Sequence, residues 1–465
     1  MINKYLKIII VLLLVANATF AGNKIGIYDL RYTLQADLST AQGLNLAWDD
    51  VHAVATLQGV VNRDTPRLYV YFVMEGNNDI DGYWWNKYSR KGEWLYGRET
   101  QTYRTMMEEL FTAYASYIEG VVVYDGNVPS TSNVASSVAG IENLVAIRYD
   151  DTPGSLYDRL VVHGPKLPVK RWLLNPDGTS MFTGKKGMEI PETSRLSTGS
   201  LKNDPYVWFI EKYMKTGKCN TEFAAYYIDQ YWKQKPFAAV KNHHTLSNHD
   251  FFVSKRAFFF DLSPWGDEPA TDDPSQPVGT DLQTLKEMLL LAYQQNKHEK
   301  MCYIGGFPSW AYKYTMHASG IHDDVPTEWE FSRIISAYNA FKDADAISYG
   351  ALANASFWQH FPTKKKYTQD WISHKELQKR GLLTADGKVA GRNFIIFYVG
   401  DYDASAWISQ RTPSIWDDPN RGKLPLMWCI SPVLAERVPH IMHNFRTTAT
   451  ENDYFASVDN GAGYI

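Results

Sequence analysis

The chain has 465 residues, which at roughly 100–200 residues per domain suggests two to four domains. With 47 Lys and Arg against 51 Asp and Glu, its formal charge of −4 excludes a general nucleic-acid coat, which needs a strongly basic face. Hydrophobic residues at 45% and charged residues at 21% exclude a disordered, collagen-like or mucin-like chain, and the unusual figure is 14% aromatic: 15 Trp, 30 Tyr and 21 Phe.

Residues 1–21 read as a signal peptide. Lys4 and Lys7 precede an apolar run from Ile8 to Val15, and small-residue cleavage patterns follow at Ala16-Asn17-Ala18 or Thr19-Phe20-Ala21. That run is shorter than the ~20 residues a membrane span needs, and no later run is longer. The expectation is an exported protein, periplasmic or extracellular, with no membrane span in its mature form. Cys219, Cys302 and Cys429 form no CxxC and no metal spacing, so buried inert thiols are expected rather than a disulfide framework.

Strand and helix patterns then alternate. Strands are predicted at 24–30, 67–73, 120–124 and 144–149, and helices at 46–62 and 100–118. This predicts a parallel α/β domain over 22–165. Residues 166–241 are dense in Pro and Gly and read as a small linking module, with helical patterns at 206–214 and 222–233. From 242 to 465 the α/β pattern resumes, with strands at 256–262, 301–307, 393–399 and 426–431 and helices at 281–296 and 328–338. This C-terminal domain is expected to be a barrel-like or open α/β domain. No repeat period argues for a propeller or solenoid.

The chemistry signal lies where these strands finish, because ligands of α/β folds bind beyond the carboxyl ends of strands. Asp261 and Glu268 follow the Phe258-Phe259-Phe260 run, with Asp267 between them, and Asp401 and Asp403 follow Val399-Gly400. In extended geometry Asp401 and Asp403 point the same way, with ends about 6–7 Å apart. Paired carboxylates suit glycosidic hydrolysis, one protonating the leaving oxygen and the other activating water or attacking the sugar. The same acids suit a divalent cation such as Ca²⁺, and equally suit turns and ion pairs. His243, His244, His249, His317 and His322 show no HExxH spacing, and no nucleophile elbow or phosphate loop is present, so no metal ligands and no cofactor are assigned. Trp265, Trp310, Tyr402 and Trp407 lie beside the acids and are candidate sugar platforms, although they suit a packed rim as well.

Several segments resemble the GxGYxYP family of glycoside hydrolases. The tail Asp453 to Tyr464, with Gly461-Ala462-Gly463-Tyr464, is similar to its signature. Gly400-Asp401-Tyr402-Asp403, Asp261 to Asp273, Gly305-Gly306-Phe307, Asp343-Ala344-Asp345 and Leu57 to Arg63 fit the same resemblance. The final Tyr-Pro of the signature is absent, so the C-terminal domain is expected to be truncated. The resemblance implies hydrolysis of a poly- or oligosaccharide by an exported enzyme, and it adds Tyr464 to the substrate-binding candidates. In that scheme Asp401 or Asp403 works with Asp261 or Glu268. A non-catalytic glycan-binding protein and a metal-dependent polysaccharide deacetylase remain as alternatives. The expected partner is carbohydrate, with no nucleic acid, and the oligomeric state is left open.

Overall fold

The computed structural model describes residues 24–457 except 38, 77, 105, 129, 228–244, 247, 307–321, 323, 324, 326, 344, 345, 348–353, 370, 371, 403 and 404. The expected signal peptide, Trp310, Asp403 and Tyr464 lie outside the described residues, as do the side chains of Asp401, Tyr402 and Trp407.

The fold is α/β, built on four parallel sheets. Strands β1 (Ile25–Asp29), β2 (Leu68–Tyr71) and β3 (Thr100–Tyr103) form the first, in the order β2-β1-β3. Strands β4 (Gly120–Tyr124), β5 (Leu144–Arg148) and β6 (Val169–Trp172) form the second, ordered β5-β4-β6. The third holds β7 (Phe223–Tyr226), β8 (Phe258–Phe260), β9 (Cys302–Gly305) and β10 (Ala340–Asp343), ordered β8-β7-β9-β10. The fourth holds β11 (Tyr398–Tyr402), β12 (Leu426–Ile430) and β13 (Asp453–Ala456) in chain order. Among the described residues the C-terminal half is open, with no closed barrel.

Helices connect and cover these sheets: α1 (Ala41–Val61), α2 (Ile80–Tyr88), α3 (Met107–Tyr114), α4 (Ser130–Glu142), α5 (Asp204–Phe209), α6 (His249–Ser254), α7 (Thr280–Gln295), α8 (Thr327–Ser336), α9 (Ala355–Trp358), α10 (His374–Lys379), α11 (Ser405–Ile415), α12 (Leu434–Arg437) and α13 (Pro439–Thr448). None of the described helices is long and apolar enough to cross a membrane. Helix α1 starts where the Thr40 hydroxyl accepts from the Gly43 amide at 3.0 Å. At its end the Asn62 side chain mimics a strand residue: Oδ1 accepts from the Leu68 amide at 2.8 Å, and Nδ2 donates to the Leu68 carbonyl at 2.9 Å. That pairing fixes the turn from α1 into β2.

Parallel strands are covered on both faces, so their sequences are continuously apolar rather than alternating. Val121-Val122-Val123 and Phe258-Phe259-Phe260 are fully buried for that reason. The first sheet divides two cores. Tyr28, Leu68 and Val70 point into a core that runs through α1, α4 and the second and third sheets. Ile25, Ile27 and Tyr69, on the opposite face, point into an aromatic core with Trp84, Trp358, Trp416, Trp428 and Phe445. All three cysteines are buried and free.

Three predicted elements differ. The helix expected over 100–118 is strand β3 followed by α3, because Thr100–Tyr103 pairs with the open edge of β1. Phe223–Tyr226, expected as the start of a helix, is instead β7, paired on both sides by β8 and β9. Long-range pairing overrides local propensity in both cases. The strand expected at 393–399 begins only at Tyr398, because β12 offers its first ladder partner there, Met427. The preceding Phe394 to Phe397 run lies exposed, with Ile395 at 83%.

Candidate functional site

Asp261 follows β8 directly and is almost fully buried. The Lys202 ammonium donates to the Asp261 carbonyl at 2.9 Å, to Asp272 Oδ2 at 2.9 Å and to Asp281 Oδ2 at 2.7 Å, and lies 4.0 Å from Asp261 Oδ1. The Tyr206 hydroxyl donates to Asp261 Oδ1. Asn203 Nδ2 donates to Asp281 Oδ1 at 2.7 Å, and the Ser263 amide donates to Asp281 Oδ2 at 2.9 Å. Burial works against the Lys202 charge, but Asp261, Asp272 and Asp281 outweigh it and hold the ammonium above its ordinary value. Asp261 is therefore committed to an ion network that joins the start of α5 to α7.

Glu268, seven residues on, belongs to a different cluster. One ligand atom each from Asp267, Glu268 and His322 lie within 4.8 Å of one another. His322 Nε2 is 3.1 Å from both Asp267 oxygens and 3.9 Å from Glu268 Oε1. The imidazole lies flat on Trp265, with ring centroids 3.6 Å apart and planes 3° apart. Trp265 Nε1 donates to Thr327 Oγ1 at 3.0 Å, which fixes the indole against α8. Trp265 is thus buried beneath His322 and supports that ring. A histidine nitrogen and two carboxylates at this spacing can hold a divalent cation or pass a proton.

A third group links the third and fourth sheets. Asp343 ends β10 and is fully buried; it takes Arg437 at 3.1 Å and the Tyr303 hydroxyl. Arg437 also donates to the Ser405 hydroxyl, which donates to Asn248 Oδ1 at 2.7 Å. Burial raises the Asp343 carboxyl, opposed by Arg437. Ser405 opens α11 just past β11, so these bonds tie the carboxyl end of β11 to that of β10. In β11, Val399 faces Trp428 and Tyr402 faces Ile430, an irregularity that interrupts the ladder at Gly400–Asp401. Such bulges re-aim side chains and are common beside active sites.

The structure thus separates Asp261 and Glu268 into two clusters and sets the backbone of Asp401 near the third. Lys202, His322 and Arg437 carry no local motif; each meets its carboxylate across 55 to 94 residues. Asp343 ends the strand Ala340–Asp343, so the strand-end rule applies to it as it does to Asp261.

No curated protein matches the chain. A crystal structure of a putative hydrolase from Bacteroides thetaiotaomicron VPI-5482 has a similar fold, with a TM-score of 0.56 and 17% identity over 95% of this chain. The match covers 64% of the length of that protein. Residues 391–465, which hold β11 to β13, match the GxGYxYP putative glycoside hydrolase C-terminal domain.

Proposed function

We propose that the chain is an exported glycoside hydrolase acting on a poly- or oligosaccharide. The observation that carries this reading is the family match over 391–465, the segment that brings Asp401 to the end of a parallel strand. Glu268 and one of Asp401 and Asp403 supply the two carboxyl groups, one as acid and the other as base or nucleophile. Asp261 is a positioning residue, because the Tyr206 hydroxyl donates to its carboxylate and the Lys202 ammonium lies 4.0 Å from it. The test is release of reducing ends from a polysaccharide panel by the full chain. Glu268→Gln and Asp401→Asn should each lower the rate about 100-fold or more. Wild-type rates in Glu268→Gln and in the Asp401→Asn/Asp403→Asn double variant would overturn the assignment.

The cluster of Asp267, Glu268 and His322 favours one second reading, metal-dependent deacetylation of a glycan. A cation held there would polarise an acetyl carbonyl and activate water. Chelator-sensitive release of acetate without new reducing ends would select this reading over the first.

A further inference from the structure

Past the carboxyl end of β2 a small cavity lies inside the aromatic core, among α2, α9, α11 and the start of α13. Trp84, Trp358, Val73 and Val438 give it apolar walls. Its polar lining is matched at almost every atom. Asp81 accepts from the Phe72 amide at 2.6 Å, from the Val73 amide, and from Asn354 Nδ2 at 2.8 Å. Trp84 Nε1 donates to the Ser409 carbonyl at 3.1 Å, and Asn248 Oδ1 takes the Ser405 hydroxyl at 2.7 Å. His440 is the exception. It is 1% exposed, and its Nδ1 is buried with no hydrogen-bond partner. The ring is held in place: it lies flat on Trp358, with centroids 4.0 Å apart, and stands at 85° to Trp84. A buried nitrogen left so is costly unless something in the cavity pairs with it.

Two observations connect this cavity with the end of β11. Among the described residues that line it, only Ser409 is not buried, so its mouth faces α11. Helix α11 begins at Ser405, four residues past Asp401, and the Ser405 hydroxyl holds Asn248 of the lining.

We infer that the cavity is a specificity pocket, in which His440 Nδ1 pairs with the exocyclic hydroxymethyl group of a sugar held beside β11. The inference rests on the glycosidase reading and names the sugar class, a neutral hexose. The cavity has room for about one or two water-sized groups. A ring hydroxyl stands one bond from its ring, whereas a hydroxymethyl oxygen stands two bonds out and is the group that reaches into a narrow pocket. Its CH₂ suits the indole and valine walls, and its oxygen suits the imidazole. Burial holds that imidazole well below its ordinary range, so it is neutral, with one N–H and one lone pair, and a hydroxyl can meet either. A uronate carboxylate does not fit, because none of the described lining residues is cationic and Asp81 is itself an acid.

The test gives the full chain oligosaccharides of glucose, galactose and mannose, set against pyranose oligosaccharides of xylose and arabinose, which lack the hydroxymethyl group. Calorimetric titration reads binding, and kcat/KM reads hydrolysis. At least one hexose series should be preferred to the pentoses about 100-fold. His440→Phe keeps an aromatic ring on Trp358 but removes both nitrogens, and should cut that preference about tenfold or more. Ala355→Val narrows the cavity from α9 and should do the same, which guards against misfolding of the first variant. A preference that survives either variant overturns the inference and leaves the hydrolase reading standing, as does hydrolysis with no hexose preference. A hexose preference in binding, lost in both variants but without any hydrolysis, sinks the enzymatic reading and leaves the pocket. Neither binding nor hydrolysis of any series sinks both.

Discussion

Asp261 and Glu268 leave the same strand end and meet opposite surroundings. Around Asp261, one buried lysine balances three carboxylates, and every partner is enclosed. Around Glu268, a histidine stands between two acids, and the side chain of Asp267 is 53% exposed. The difference teaches that an acid after a strand is not yet a catalytic acid: the cation delivered from elsewhere in the chain decides whether it is structural or free to act.

The largest expected effect tests the enclosed side of that comparison. Lys202→Met strands three buried carboxylates and should cost about 3–5 kcal/mol in urea unfolding. A loss below 1 kcal/mol would mean that the network does not brace α5 and α7. Gly305→Ala comes next. A Cβ there would sit 2.1 Å from the Phe252 ring, beside Arg437, so about 1–3 kcal/mol should be lost to overpacking. Asp267→Asn, on the open side, should change stability by no more than about 1 kcal/mol, because an exposed pair is screened. If it matches Lys202→Met in thermal unfolding, the two clusters are not different in kind.

The smallest effect concerns pH. The folded carboxyl of Asp50 titrates at about 6 and the unfolded one near 3.9. The folded state therefore holds its proton more tightly, and stability falls as pH rises from about 4 to about 6. Asp50→Asn should flatten that part of the stability profile, as read from melting temperatures across the range.

Much of this was legible locally. The alternation of apolar runs and amphipathic stretches is enough for a parallel α/β class, because crossover helices are the usual way to join parallel strands. Phe258-Phe259-Phe260 announces a strand covered on both faces, and the acids behind it announce an edge. What could not be read is convergence. Nothing near Lys202 predicts Asp261, Asp272 and Asp281, and nothing near His322 predicts that its ring will lie on Trp265. Thr100–Tyr103 and Phe223–Tyr226 are strands against their local helical pattern for the same reason, since a strand slot is created by neighbours that arrive from distant sequence.

The first sheet, with one core on each face, carries a consequence for how the chain is made. Residues 25–29 leave the ribosome early, yet the aromatic layer that covers their second face is drawn largely from residues 357–445. Until those arrive, Ile25, Ile27 and Tyr69 are covered only by the early part of that core, Trp84, Trp85 and Tyr88 among it, on a sheet whose other side is already able to close. Contacts of such long sequence separation form slowly, and intermediates of this shape are prone to stick to one another. The wall between the cores is thus also a clock: the chain stays vulnerable until residues 357–445 have been made and have docked.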